Sequence, residues 1–370
     1  MKAGPEQWAN RAASAEMAID RRHLRPLWRI PGTQLGVVGW PPSRRDRGFG
    51  TWHYWWQAHL LDTLVDAQVR DPRPERAERI TRQIRGHRVR NNGRWTNSYY
   101  DDMAWLALAL ERSGRLLGIR RPHALQTLTR QLFNAWVPED GGGIPWRKQD
   151  QFFNAPANGP AGILLARQGH LPRAAQMADW VDENLLDPET HLIFDGVRDG
   201  SLVRAQYTYC QGVVIGLETE LAVRSGDERH APRVRRLVAA VAEHMAPHGV
   251  LRGAGGGDGG LFAGITARYL ALAATALPGD SAEDVAARDA ARRIVLSSAK
   301  AAWDNRQTVE GLPLFGAFWD RIAEVPRPGG GNASFIDGAV RASETPERDL
   351  SVQVSGWMLM EAAHVVTARA

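Results

Sequence analysis

Asn97-Ser98-Tyr99-Tyr100-Asp101-Asp102-Met103-Ala104-Trp105-Leu106 sets two consecutive carboxylates at the head of a run with no further charge until Glu111. Met103 to Leu110 are good helix formers, so a helix begins with a pair of acids. One reading makes Asp101 or Asp102 an N-cap or first-turn acid that stabilises unpaired backbone N–H groups and the positive helix end. The other makes them a catalytic pair. Neighbours inside a regular helix diverge around its axis. At the N-cap to N1 boundary the backbone is not yet helical, and both side chains can converge on one ligand. Retaining glycosidases use two carboxyls about 5–5.5 Å apart, a separation adjacent residues can supply. The rest of the chain decides between the two readings.

Working outward, apolar periodicity predicts about twelve helices. The first covers residues 5 to 28, the second runs from the Phe49–Trp56 segment to Val69, and the third spans 74 to 88. The acid-pair helix is the fourth and ends near Leu117; the fifth to eighth cover 122–136, 155–168, 172–185 and 206–224. The last four span 230–245, 261–276, 282–303 and 350–367, and Leu192 to Phe194 reads as a short strand. Even-numbered helices are apolar and odd-numbered ones amphipathic or charged. Every long, Gly- and Trp-bearing segment precedes an even helix, whereas the joints leaving even helices are short. This is the layout of an all-α (α/α)6 barrel with even helices inside and odd helices outside, a single catalytic domain over residues 1–370. No sequence motif recurs at a fixed period, which argues against a solenoid. Residues 304–347, with Gly329-Gly330-Gly331, form a long loop or insertion, expected to be a solvated surface loop rather than a wall of the site.

A hydrophobic content of 44% and a charged content of 24% describe an ordinary globular chain of 370 residues without disordered bias. The net charge of +5 comes from scattered arginines, and Arg70 to Arg90 mixes them with Asp71, Glu75 and Glu78. That pattern reads as a solvated helix face, so no nucleic-acid partner is expected. The single cysteine, Cys210, excludes an internal disulfide and a thiolate metal cluster. No apolar run approaches the roughly 20 residues of a membrane span. Met1 to Leu24 has no unbroken apolar core, so it is not a signal peptide as written, and the expectation is a cytoplasmic monomer, export by another route remaining open.

If the inner helices share one direction, their leading segments form one surface. It holds Trp52, His53, Trp55 and Trp56; Trp95, Asn97, Tyr99, Tyr100, Asp101 and Asp102; Trp146, Arg147, Asn154 and Asn158; Tyr207, Tyr209 and Gln211; and Asp258 with Phe262. Aromatic faces, amides and acids suit a carbohydrate cleft. The Gly253–Gly260 run lacks the Lys-Ser/Thr ending of a phosphate-binding loop. Glu139-Asp140-Gly141 and Asp195 to Gly200 lack the alternating ligands and closing Glu of a calcium loop, so neither a metal nor any other cofactor is expected.

Tyr99-Tyr100-Asp101-Asp102-Met103-Ala104-Trp105 resembles the double-aspartate motif of glycoside hydrolase family 76, the α-1,6-mannanases. Five further blocks resemble the family in the same order: Tyr54 to His59, Gly142 to Trp146, Asn154 to Gly159, Tyr207 to Gly212 and Phe262 to Leu270. The resemblance covers roughly residues 50 to 275. It implies an (α/α)6 barrel and retaining hydrolysis of α-1,6-mannosidic bonds in mannan-type carbohydrate, with endo action expected. Asp101 is then the nucleophile and Asp102 the general acid/base. Cys210 stands where the family commonly has Asn, and Ala263 where fungal members commonly have Lys. Two rivals are weighed against this reading: an (α/α)6 sugar epimerase or isomerase, and a catalytically silent glycan-binding protein. The first would more naturally use paired histidines facing the barrel, and the second would tolerate loss of either aspartate.

Overall fold

The computed structural model describes residues 3–138, 141–336 and 338–369. Its helices are α1 (Pro5–Arg22), α2 (Arg44–Arg47), α3 (Tyr54–Arg70), α4 (Pro74–Arg90), α5 (Tyr100–Leu117) and α6 (Pro122–Phe133). They continue with α7 (Ala155–Arg167), α8 (Leu171–Leu185), α9 (Thr208–Arg224), α10 (His230–Ala240), α11 (Phe262–Ala276), α12 (Ala282–Asp304) and α13 (Leu350–Ala368). The short α2 lies outside the barrel; the other twelve build it.

Burial explains which helices go inside. In α7 every residue from Ala155 to Ala166 is buried, and in α13 every residue from Leu350 to Ala363. Such helices have no polar face because one side meets the neighbouring inner helices and the other meets the outer ring. The inner helices contact one another in the order α3, α5, α7, α9, α11, α13, and α13 returns to α3 to close the ring. Closure needs close approach of backbones. A Cβ on Gly212 of α9 would lie 2.7 Å from Thr266 Cα of α11, and one on Gly264 of α11 would lie 2.8 Å from Ser355 Cα of α13. The fold is thus an (α/α)6 barrel.

All inner helices run in one direction, so the long connections gather at one end. At the other end Arg112 pairs with both Asp62 and Asp66, Arg268 joins the same two acids, and Arg167 meets Glu220 at 2.7 Å. These partly buried ions satisfy each other between inner helices.

The boundaries depart from the periodicity in four places. The first helix stops at Arg22 rather than 28, because Pro26 follows and Leu24–Arg25 (β1) pairs with Leu35–Gly36 (β2). The fifth ends at Phe133, and the ninth passes into a single π turn at Val241–Met245. Leu192–Phe194 is not a strand. The sheet there is Phe152–Asn154 (β3), Gly196–Arg198 (β4) and Ser201–Val203 (β5), and Leu192 and Ile193 face the core. Residues 304–347 carry two hairpins, Gln307–Val309 (β6) with Leu312–Leu314 (β7) and Ser334–Ile336 (β8) with Ala339–Arg341 (β9). Contrary to the expected solvated loop, the β8–β9 hairpin folds over the loop-rich end.

Candidate active site

The loop-rich end encloses a crevice of about 600 Å³, and both Asp101 and Asp102 line it. Tyr99 is the N-cap of α5, which puts the acids at the second and third helical positions rather than at the expected N-cap boundary. The cause is local. Asn97 Oδ1 accepts the Tyr99 N–H at 2.9 Å, and the Trp146 carbonyl accepts the Tyr100 N–H at 2.8 Å, so the helix is already set when the chain reaches Asp101. Both carboxylates still look into one space because α5 begins at the crevice, and Asp101, Asp102 and Trp105 from its first turns line it.

Their surroundings differ. Asp101 Oδ1 accepts the Asp102 N–H at 2.8 Å, and its Oδ2 accepts the Trp146 indole N–H at 3.0 Å. Burial nevertheless pushes the Asp101 carboxyl up to about 7, against those two donors. Asp102 receives only the Asn97 side-chain amide. Burial, then the charge of Asp101, holds its carboxyl well above the usual carboxylate range. Adjacent acids lining one crevice thus favour one shared proton, residing on Asp102.

Asp258 is the third acid of the predicted surface. Its Oδ1 accepts the indole N–H groups of Trp55 (3.0 Å) and Trp56 (2.9 Å), and its Oδ2 accepts the Val340 N–H at 2.7 Å. It ties the β8–β9 hairpin to the start of α3, so the hairpin walls the crevice. Of the remaining predicted contact residues, Tyr99, Trp146, Asn154, Tyr207 and Tyr209 also line it. Tyr209 stacks on Phe262 with ring centroids 3.9 Å apart, and Tyr207 stands 40% exposed beside them.

Eight residues of the predicted surface are placed elsewhere, among them Trp52, which packs against Tyr54 and His87, and Arg147, which pairs with Asp150. Asn158 and Gln211 are fully buried, and their amides bond backbone: Asn158 both N–H and C=O of Ile144, Gln211 both N–H and C=O of Ile193. They fasten the leading loops to α7 and α9 instead of meeting a ligand. Trp56 is likewise fully buried, with its indole N–H on Asp258. Asn97 acts on Asp102. Trp95 and Tyr100 lie outside the crevice lining, and the Trp95 carbonyl accepts the Tyr54 hydroxyl.

Sequence reading missed Phe152, Arg198 and above all Asp195, which line the same crevice. Burial raises the Asp195 carboxyl to about 6, and the Cys210 thiol is its nearest donor, with Sγ 3.8 Å from Oδ1. The family departure at Cys210 therefore falls on a crevice carboxylate. The one available signal was an acid directly after the buried run Leu192-Ile193-Phe194. The Asp195–Gly200 stretch, weighed above as a calcium loop, is the β4–β5 hairpin, its backbone engaged in the ladder. Glu139 and Asp140 lie outside the described residues. Among the described residues no group of three His, Cys, Asp or Glu side chains is arranged to hold a metal, and no helix is long and apolar enough to cross a membrane.

Residues 13–325 match the family model described as glycosyl hydrolase family 76. The chain belongs to glycoside hydrolase family 76. No curated protein sequence matches it. Among solved structures, the family 76 α-1,6-mannanase of Salegentibacter sp. HEL1_6 is 27% identical with a TM-score of 0.81, over 97% of this chain and 99% of that one. An inactive variant of that mannanase, with two successive aspartates changed to asparagine, was solved with α-1,6-mannotriose; it is 26% identical, with a TM-score of 0.80 over 97% and 99% of the two chains. A Listeria innocua protein, 23% identical, shares the fold with a TM-score of 0.79 over 98% and 97%. As a family 76 member, the protein is a glycoside hydrolase.

Proposed function

We propose that this glycosidase cleaves α-1,6-mannosidic linkages in mannan or mannooligosaccharides with retention, Asp101 acting as nucleophile and Asp102 as general acid/base. One observation carries the reading. Asp101-Asp102 is the only Asp-Asp pair in the chain, and it opens an inner helix on the crevice, while the Salegentibacter mannanase is inactive when two successive aspartates are replaced. That mannanase binds α-1,6-mannotriose and mannotetraose in its inactive forms, which supports the linkage.

The local chemistry supports this division of roles. Asp101, with two N–H donors, is the better carboxylate and attacks the anomeric carbon. Asp102, held protonated by burial and by its neighbour's charge, protonates the departing 6-oxygen, then deprotonates the water that frees the glycosyl-enzyme. Aromatic residues on two sides of the crevice, Trp146 with Phe152 and Tyr209 with Phe262, suit successive sugar rings, in keeping with endo action.

The test is azide rescue. Asp101→Ala with azide should give a glycosyl azide of inverted configuration; that product from Asp102→Ala instead would reverse the roles. Digestion of linear α-1,6-mannooligosaccharides of increasing length reports linkage and endo action together. Failure to cleave any of them would refute the substrate assignment.

A further inference from the structure

The tertiary structure gathers arginines that the chain keeps apart. Arg29, Arg44, Arg45, Arg47, Arg85 and Arg94 are all exposed, and none lies within salt-bridge distance of a carboxylate among the described residues. The acids nearby in sequence are spent: Asp71 on Arg73, Glu78 on Arg82, Asp20 on Arg79, and Asp46 buried in the capping box of α2. Glu75 stands in the first turn of α4, at the end opposite Arg85.

Specific contacts join these segments into one face. The Trp28 indole N–H donates to the Gly48 carbonyl at 2.9 Å, and Arg90 Nε donates to the Phe49 carbonyl at 2.9 Å. The Arg85 guanidinium lies against Gly32, and the Asn91 amide holds the Arg94 carbonyl at 2.9 Å. At the middle stands Trp28, 50% exposed. It and Arg29 both adopt left-handed backbone, with φ of 47° and 61°, a conformation that non-glycine residues take at an energetic cost. The turn is strained in the geometry that turns the indole outward while its N–H is satisfied within the protein.

We propose that this face docks the enzyme on an anionic phospholipid surface. Unpaired arginines supply attraction to lipid phosphates, and a half-exposed tryptophan whose polar atom is already bonded suits the membrane–water interface. A single-stranded nucleic acid would stack its bases on open aromatic faces. Here Arg90 lies over a face of Trp28 and of Trp52, and Arg88 over one of Trp95. The face adjoins the crevice: Trp52 packs edge-on to Tyr54, which lines the crevice and donates its hydroxyl to the Trp95 carbonyl. A docked enzyme therefore brings its crevice rim to the surface, within reach of a glycan carried on a lipid. That consequence rests on the mannanase reading, whereas the docking does not.

Sedimentation with vesicles tests it. The full-length protein should bind vesicles of phosphatidylcholine mixed with phosphatidylglycerol, weaken as salt rises, and ignore phosphatidylcholine alone. The R44S/R45S/R47S/R85S variant should lose about fivefold in partition per arginine removed, while hydrolysing soluble α-1,6-mannotriose at the parent rate. Trp28→Ser should weaken binding and leave that rate unchanged. Equal binding to neutral vesicles overturns the proposal, as does unchanged binding of the quadruple variant, or a single-stranded oligonucleotide displacing the protein from the anionic vesicles. Vesicle binding without hydrolysis of any linear α-1,6-mannooligosaccharide leaves docking intact and removes the mannanase reading instead.

Discussion

The indole N–H of Trp146 reaches Oδ2 of Asp101 at 3.0 Å, tying the loop that leads to α7 to the first turn of α5. It is one of two donors that favour the ionised form of a carboxyl that burial holds up to about 7. Trp146→Phe keeps the ring and removes the donor. A hydrogen bond to a charged group contributes about 1.5–3 kcal/mol. The acidic limb of the kcat/KM profile, set by ionisation of Asp101, should therefore move upward by about one pH unit, with kcat down roughly tenfold. An unmoved limb would show that the bond does not set the nucleophile's ionisation.

Asn97 serves Asp102 as Trp146 serves Asp101. Its amide N–H donates to Asp102 and its Oδ1 holds the Tyr99 N–H. Asn97→Ala removes a donor that favours the charged acid, so Asp102 keeps its proton to higher pH and the basic limb, not the acidic one, should shift upward. Loss of the turn should also lower stability by about 1 kcal/mol, read from denaturant unfolding.

The acid pair makes the fold less stable as pH rises. An unfolded aspartate titrates near about 3.9, whereas Asp101 in the folded protein holds its proton to about 7. Between those values the native state binds the proton and the unfolded state does not, so stability falls with increasing pH. Asp101→Asn removes that loss. The variant should be inactive yet more stable than the parent above pH 7, by up to about 4 kcal/mol, with the gain fading towards pH 4. Thermal melts at both ends of this range give the comparison, and a pH-independent difference would contradict the linkage.

Asp258 spends both oxygens on three donors, one of them the Val340 N–H on the β8–β9 hairpin. Asn has a single acceptor oxygen, so Asp258→Asn leaves either the two indoles or the hairpin without a partner. With the hairpin released, hydrogen exchange over Ser334–Ile336 and Ala339–Arg341 should quicken. KM should rise several-fold more than kcat falls, because the wall binds the ligand while the acid pair keeps its own partners. Unaltered exchange in that segment would mean the hairpin is held by other contacts.

The sequence by itself determined the helices, their alternation between inner and outer, and the acid pair that opens the fourth of the twelve. Each of these is a local property: a 3.6-residue period, a helix start, the placement of Gly- and Trp-bearing connections. Only the tertiary structure decided what each polar side chain does, because its partner lies far away in the chain. Asn158 and Gln211 read like Asn154 and Tyr207 as loop-end polar residues, yet they are bonded to the backbone of Ile144 and Ile193 and never reach the crevice. Asp195 reads as part of a turn, yet pairing of β4 with β3 and β5 brings it to the crevice. Ser334–Ile336 and Ala339–Arg341 read as surface loop, and Asp258, some 80 residues earlier in the chain, makes them a wall. The same holds for the arginines: spacing showed them mixed with acids, and folding paired the acids at one end of α4 while collecting the unpaired cations at the other. Periodicity follows from the geometry of one helix, whereas the choice of hydrogen-bond and charge partners is settled only where distant segments meet out of water.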